Sequence, residues 1–472
     1  MSYTLDYLTN LEKINDTTEY LSKYYLPEVK VLSFTYPNQS SSSNINLLAN
    51  KLNTRFNWFA FGKSKITDNG IFQYSPVSAP NNLFKLSQNF ISNYLYLILH
   101  DLEDLAQFNN DEWQAYKACN ESIAYACQNT YSNSLPNIYW LNNFELALVP
   151  PFLANQKGSI LCQFIHTSWP KFKPLKKPHI IKEIIQGLLN NNLIGFQSKT
   201  YLENFLTYVN YLIPKAKIDT NNNEIGLNGH TIKLIANPLG IDFRTWQKFA
   251  KFARPHSTLL KQEHKLANQI ILGVDKLCPS KGIIEKLSAF DLFLAKNQQW
   301  QKRIHYVQIL GKPTGVGSIY ENYATNVMQS IAKINNKYRI NNWEPIKLIK
   351  QELTQQELAS WYQASDALLI NSIADGLNLV AKEYIASRID EQGVLILSQN
   401  TGCANETAHG ALIINPHNPD NIVNSIEIAL SLDPEEKKRR MNLMRYAVNY
   451  NQLQDWVVTF LESAINTTSL GV

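Results

Sequence analysis

Apolar runs of strand length alternate with helical stretches along almost the whole chain, and this predicts an α/β fold. Strands separated by helices pair in parallel, so parallel sheets are expected. At 472 residues the chain exceeds what one core holds. Two such halves, with parallel sheets facing a central cleft, are the predicted architecture.

Taken in order, residues 1–28 read as a polar helical extension. Residues 29–250 form the first half. It opens with a strand at 29–34, a Ser/Asn loop at 38–44 and a helix at 45–57. Amphipathic segments follow at 90–102 and 113–126, then a strand at 137–141. Residues 145–153 form a short segment broken by Pro150 and Pro151. A strand at 159–166 ends at His166. A helix at 182–189, a strand at 193–196, a helix at 199–211 and a strand at 231–237 complete this half. Residues 251–450 form the second half: a helix at 256–269, then strands at 270–274, 304–310, 346–349, 367–370, 394–398 and 411–414. Helices lie at 283–295, 319–338, 358–363 and 434–446, and Thr354 with Glu357 forms a capping box. A terminal helix in 451–472 is expected to pack back on the first half.

The stretch 366–388 organises the second half. Residues 367–370 are an apolar strand, Asn371–Gly376 is polar or small, and helical spacing begins at Leu377. Gly376 is the residue free to take a left-handed turn. Unpaired amides at a helix start face an anion, so a diphosphate is expected there, with hydroxyl-bearing groups near Asp375 and Glu383. Glu383 falls about one helical turn beyond Leu379. In the loop 275–282, Lys276 and Lys281 flank Leu-Cys-Pro-Ser directly after a strand. Two ammonium groups there can neutralise a diphosphate.

Composition excludes several classes. Hydrophobic residues make up 44% and charged residues 18%, a globular balance. The net charge of +5 comes without a dense Lys/Arg block, which argues against nucleic acid. Five scattered cysteines without a Cys-x-x-Cys pair fit a reducing cytoplasm and argue against structural zinc. No apolar signal region opens the chain and no run is long enough to span a membrane. Gly62-Lys63-Ser64 has Asn57 where a phosphate-binding loop needs glycine, and no Gly-x-Gly-x-x-Gly follows a strand. Kinase and dehydrogenase readings are therefore weak.

Four segments carry a family resemblance. Val274-Asp275-Lys276-Leu277 with Lys281-Gly282 resembles Val-Asp-Arg-Leu-Asp-Tyr-x-Lys-Gly. Asp375-Gly376-Leu377-Asn378-Leu379-Val380-Ala381-Lys382-Glu383-Tyr384 is close to Asp-Gly-Met-Asn-Leu-Val-Ala-Lys-Glu-Tyr. Phe164-Ile165-His166-Thr167-Ser168-Trp169-Pro170 is similar to Phe-x-His-x-Pro-Phe-Pro, and Trp343-Glu344-Pro345-Ile346 to Trp-Thr-Pro-Ile. The family is that of the trehalose-6-phosphate synthases and the related glucosylglycerol-phosphate synthases.

The resemblance implies a GT-B fold of two Rossmann-like domains, the first on the acceptor side and the second binding the nucleotide sugar. It implies glucosyl transfer with retention from UDP-, GDP- or ADP-glucose to a phosphorylated acceptor, with no cofactor and no metal. Lys276 and Lys281 would hold the donor diphosphate and Asp375 sugar hydroxyls. Gly376, Asn378 and Leu379 would offer backbone amides, Glu383 would bind ribose, and His166 would touch the donor sugar. Tyr96, His100 and Asn143 would face the acceptor. Departures gather on that side: the family's Ser-Asn-Arg is Ser33-Phe34-Thr35, its His-Asp-Tyr-His is Asn142-Asn143-Phe144-Glu145, and its Pro-Thr-Arg is Pro313-Thr314-Gly315. Glucose 6-phosphate is the default acceptor. Glycerol 3-phosphate or another acceptor phosphate, and a nucleotide-sugar-binding protein without transfer, stay open, as does homo-oligomerisation.

Overall fold

The computed structural model describes residues 28–35, 55–62, 72–128, 137–156, 158–313 and 315–467. All but Glu28 of the expected extension at 1–28, the loop at 38–44 and most of the helix at 45–57 lie outside these residues. The described chain divides into two compact units. One comprises residues up to Leu99, Glu103–Asp242 and the chain from Leu453. The other comprises His100–Leu102 and Phe243–Gln452.

The first unit is built on nine strands: β1 (Glu28–Thr35), β2 (Arg55–Phe61), β3 (Phe72–Val77), β4 (Ile138–Asn142), β5 (Ile160–Ile165), β6 (Leu193–Phe196), β7 (Lys217–Asp219), β8 (Glu224–Leu227) and β9 (His230–Ala236). They run in the order β3-β2-β1-β4-β5-β6-β9-β8-β7. Its helices are α1 (Asn81–Phe90), continued by a π turn (Ile91–Leu95) into α2 (Tyr96–Leu99), then α3 (Asn110–Gln128), α4 (Pro150–Leu153), α5 (Pro178–Leu188) and α6 (Lys199–Leu212). The strands from β3 to β9 are parallel, but β7, β8 and β9 form an antiparallel meander at one edge. The sheet is thus mixed, contrary to the purely parallel expectation. Asn228 and Gly229 adopt positive φ, 51° and 80°, at the tight turn that permits the β8–β9 hairpin. The helix expected over 45–57 is also corrected, because residues 55–57 open strand β2. Its aromatic run packs better on a pleated sheet than on a helix, and buried Asn57 accepts a 2.8 Å hydrogen bond from Ser75 on β3. Pro150 and Pro151 begin helix α4 instead of breaking a segment, since the first turn needs no amide donor from them.

The second unit holds six parallel strands in the order β12-β11-β10-β13-β14-β15: β10 (Gln269–Lys276), β11 (Ile304–Gly311), β12 (Ile346–Ile349), β13 (Ala367–Ile370), β14 (Val394–Ser398) and β15 (Leu412–Ile414). Its helices are α7 (Phe243–Glu263), α8 (Ile283–Lys296), α9 (Ser318–Tyr338), α10 (Gln355–Ala364), α11 (Leu379–Ser387), α12 (Ala404–Thr407), α13 (Pro419–Ser431) and α14 (Pro434–Tyr450). Helix α7 begins at Phe243, well before the expected 256. Helix α13 was not anticipated, although Asn418 caps it and Pro419 opens it. The capping box of Thr354 and Glu357 is formed at the start of α10. The four residues of β13 and the five of β14 are fully buried, as central strands of a sheet covered on both faces must be.

Helix α15 (Leu453–Ile465) returns to the first unit. Trp456 and Phe460 lie against Trp140 and Phe164 on β4 and β5. Trp456 exchanges two 2.9 Å hydrogen bonds with Asn237: its indole Nε1 donates to the Asn237 carbonyl, and Asn237 Nδ2 donates to its carbonyl.

Candidate functional site

Two neighbouring strands of the second unit, β10 and β13, end in loops that lock together. The loop after β10 makes a short 3-10 turn over Pro279–Lys281 and reaches α8 through Gly282 at φ 58°. A Cβ on Gly282 would lie 2.2 Å from the Asn371 carbonyl oxygen, so glycine is required there both for φ and for space. The Ile373 amide donates to the Ser280 carbonyl at 2.8 Å, tying the loop after β13 to the loop after β10. The loop after β14 closes the other side. The Asp375 amide donates to Asn400 O at 3.0 Å, and the Gly402 amide donates to Asp375 O at 3.1 Å. A Cβ on Gly402 would meet the Gly376 carbonyl at 1.9 Å.

This framework brings Lys276, Lys281, Asp375 and Asn378 together. Lys281 Nζ donates to Asp375 Oδ2 at 2.5 Å, and the same oxygen accepts from Asn378 Nδ2 at 2.9 Å and Ser372 Oγ at 3.3 Å. Burial alone would raise the Asp375 carboxyl, but the Lys281 ammonium and these donors outweigh it and hold it below the usual carboxylate range. Burial disfavours the Lys281 ammonium, yet Asp375 more than compensates and raises it. Lys276 terminates β10. Desolvation, reinforced by the charge of Lys281, lowers its pKa, against a weaker pull from Asp375. The site therefore holds two cations against one carboxylate. His100, which groups with this unit, adds a favourable charge toward Asp375.

The left-handed residue of this turn is Asn378, at φ 73°, and not Gly376. Asparagine tolerates that conformation, and here its side chain gives a reason to be there. Its Oδ1 accepts from the Ala381 amide at 3.0 Å, capping α11, while its Nδ2 goes to Asp375. Leu379 is the first residue of α11. Glu383 lies one turn along the same helix and accepts a 3.1 Å hydrogen bond from the Tyr362 hydroxyl.

In the first unit, His166 follows β5 and Asn143 follows β4. The His166 amide donates to Asn143 Oδ1 at 2.9 Å, and Asn143 holds φ 65°. Gln197 Oε1 accepts from the Leu239 amide at 2.8 Å, so its Nε2 faces His166 Nδ1, 3.1 Å away. Nδ1 is therefore an acceptor, and the neutral ring carries its proton on Nε2. Burial pushes the imidazole down to about 4. Tyr96 lies on α2, partly buried against the apolar core.

Sequence reasoning missed the layer beneath the lysines. Asp275 is buried in β10 and pairs with Lys286 on α8, whose side chain is fully buried. Gln308 Nε2 donates to Asp275 Oδ2 at 2.9 Å, and the Tyr306 hydroxyl donates to Gln308 Oε1 at 2.8 Å. A lone lysine within the apolar run of α8 was the available signal. Buried Lys382 likewise pairs with Glu406 at 2.6 Å. Among the described residues no three His, Cys, Asp or Glu side chains converge as a metal site would require. No helix among them is long and apolar enough to cross a membrane.

The profile of Glycosyltransferase family 20 matches residues 36–466, which include every element of this framework. The chain belongs to glycosyltransferase family 20. It is 30% identical over 407 residues to the UDP-forming alpha,alpha-trehalose-phosphate synthase of Zygosaccharomyces rouxii, covering 82% of each chain. To the enzyme of that name from Candida albicans it is 29% identical over 423 residues, covering 86% of this chain and 87% of the relative. A solved structure described as trehalose-6-phosphate from E. coli bound with UDP-2-fluoro glucose superposes with a TM-score of 0.83 at 25% identity. That match covers 93% of this chain and 98% of the other. The family 20 chain is thus a glycosyltransferase with Rossmann-like domains of the GT-B class.

Proposed function

We propose that this glycosyltransferase moves glucose from UDP-glucose to glucose 6-phosphate, with retention, giving trehalose 6-phosphate and UDP. The observation that carries the reading is the Lys276–Lys281–Asp375 cluster at the ends of β10 and β13. An ammonium has three donors, and Lys281 commits one to Asp375, so two are left for phosphate oxygens. The Lys281 charge depresses the proton affinity of Lys276, a strain that a diphosphate relieves. The UDP-forming names of the relatives support uridine as the donor base.

In this mechanism the bond from the glucose anomeric carbon to the UDP phosphate oxygen breaks first, with positive charge developing on the sugar. Lys276, Lys281 and the backbone amides of Gly376, Asn378 and Leu379 stabilise the negative charge growing on the diphosphate. The acceptor hydroxyl attacks from the leaving-group face, and its proton passes to the departing phosphate. Asp375 holds sugar hydroxyls, Glu383 the ribose, and neutral His166 donates from Nε2 to the donor sugar. Tyr96, His100 and Asn143 serve the acceptor. The five cysteines are buried and none is in a disulfide, which supports a reducing cytoplasm.

One observation favours a different acceptor phosphate. Thr35, standing where the family has arginine, is exposed, and Phe34 beside it stacks on Phe84 at 5.2 Å. Glycerol 3-phosphate is the second candidate. The test is UDP release and product identification with UDP-glucose and a panel of acceptors. Trehalose 6-phosphate as the fastest product upholds the reading, and a faster reaction with glycerol 3-phosphate replaces it. UDP-glucose binding with no product from any acceptor would make the chain a binding protein.

A further inference from the structure

A cavity of about 810 Å³ opens in the first unit at the amino-terminal ends of β5 and β6. It lies between the helix α5, the end of α6 and the β8–β9 hairpin. Lys182 on α5 and Lys215 after α6 line it, and neither has an ion pair among the described residues. His230 also lines it, with Nε2 hydrogen-bonded to the Asn191 carbonyl at 2.8 Å. The described lining residues include no carboxylate, so its charge is of one sign. Asn192 and Asn228 supply amides. The Ser159 hydroxyl, also in the lining, is a buried oxygen with no hydrogen-bond partner. A buried hydroxyl left unpaired is costly and marks a place where a polar group is wanted.

We propose that this cavity binds a phosphorylated sugar. Lysines held at its rim meet the phosphate dianion, and the amides with Ser159 meet hydroxyls. A volume near 800 Å³ suits a molecule of that size better than a bare anion. The site is separate from the residues around His166. Strand β5 runs from Ser159 at the cavity to His166 at its other end, about 20 Å for six strand residues. Strand β6 likewise runs from Asn192 to Gln197, the partner of His166. Ligand here would not compete with a ligand at those far ends.

The test is calorimetric titration of the full chain, saturated with UDP, using fructose 6-phosphate, fructose and inorganic phosphate as probes. Lys182→Ala/Lys215→Ala should bind fructose 6-phosphate at least about tenfold more weakly than the parent. Lys182→Glu/Lys215→Glu should abolish binding. Both lysines are exposed, so both variants should keep the parental melting temperature and UDP affinity. Equal affinity in the parent and the alanine variant overturns the proposal. Inorganic phosphate binding as tightly as the sugar phosphate also overturns it. Fructose 6-phosphate bound at the acceptor site would be common to parent and variants, so the binding event lost with Lys182 and Lys215 is the one that decides.

Discussion

Replacing Lys281 with Met should separate the stability of the donor loop from its chemistry. The Lys281–Asp375 bond is 2.5 Å long, and the side chains are 21% and 12% exposed. Breaking a fully buried pair costs about 3–5 kcal/mol, because the surviving charge loses its partner. Here Asp375 keeps Asn378 Nδ2 and Ser372 Oγ, so a loss of about 2–3 kcal/mol is expected. Lys281→Met/Asp375→Asn should recover part of this, with a coupling of about 1–3 kcal/mol in urea denaturation. The pH dependence has a definite sign. Asp375 is depressed, so its contribution is present above the unfolded carboxylate value and is lost as pH falls through the folded one. Lys281 is raised, so its contribution is present below the unfolded lysine value and is lost as pH rises through the folded one. Lys281→Met removes the chief cause of that depression, so the variant should lose less stability on the acid side than the parent, and the gap between the two should narrow as pH falls. In the UDP-release assay kcat should fall about 10²–10³-fold, the usual cost of removing one fixed donor at a developing negative charge. A variant that binds UDP-glucose and turns over within twofold of the parent would refute this assignment of Lys281.

Three further outcomes are expected. Burial raises the Glu145 carboxyl to about 7 in the folded chain. The folded state then holds a proton that the unfolded state has released, so stability should fall as pH rises from about 4.5 to about 7. Glu145→Gln should flatten that slope in urea midpoints measured across the range. Lys286→Met alone should destabilise by about 3–5 kcal/mol by stranding Asp275, whereas Lys286→Met/Asp275→Leu should be closer to neutral in the same denaturation experiment. Bound diphosphate should raise the depressed Lys276 ammonium, so UDP binding at alkaline pH should take up protons, read as a dependence of calorimetric heat on buffer ionisation enthalpy.

Much of the second unit was legible because its strands are buried on both faces and read as uninterrupted apolar runs, such as Leu368–Ile370 and Leu395–Leu397. The lysines and Asp375 were legible because they fall where such runs stop. What escaped had local sequence that fits two conformations. The helix expected at 45–57 rests on Leu47, Leu48 and Leu52 and runs on into residues 55–57, which begin β2, and the short strands β7 and β8 carry polar residues typical of loops. The left-handed turn went to Asn378 because its side chain both caps α11 and holds Asp375, two bonds that glycine at 376 cannot make. The Asp275–Lys286–Gln308 layer was invisible for a different reason. Its members come from three separated elements, and only the sheet brings them into register.

Helix α15 carries a consequence for biosynthesis. Asn237 and Trp456 are 219 positions apart, yet each satisfies the other's buried polar groups. A ribosome releases the nine-stranded half long before the tryptophan that seals β4 and β5 is made. Until then Trp140 and Phe164 lack their cover, and the nascent protein carries an uncovered aromatic surface through the synthesis of its entire second Rossmann-like unit. Premature termination anywhere before Leu453 should yield an aggregating fragment and not an independently folding first half.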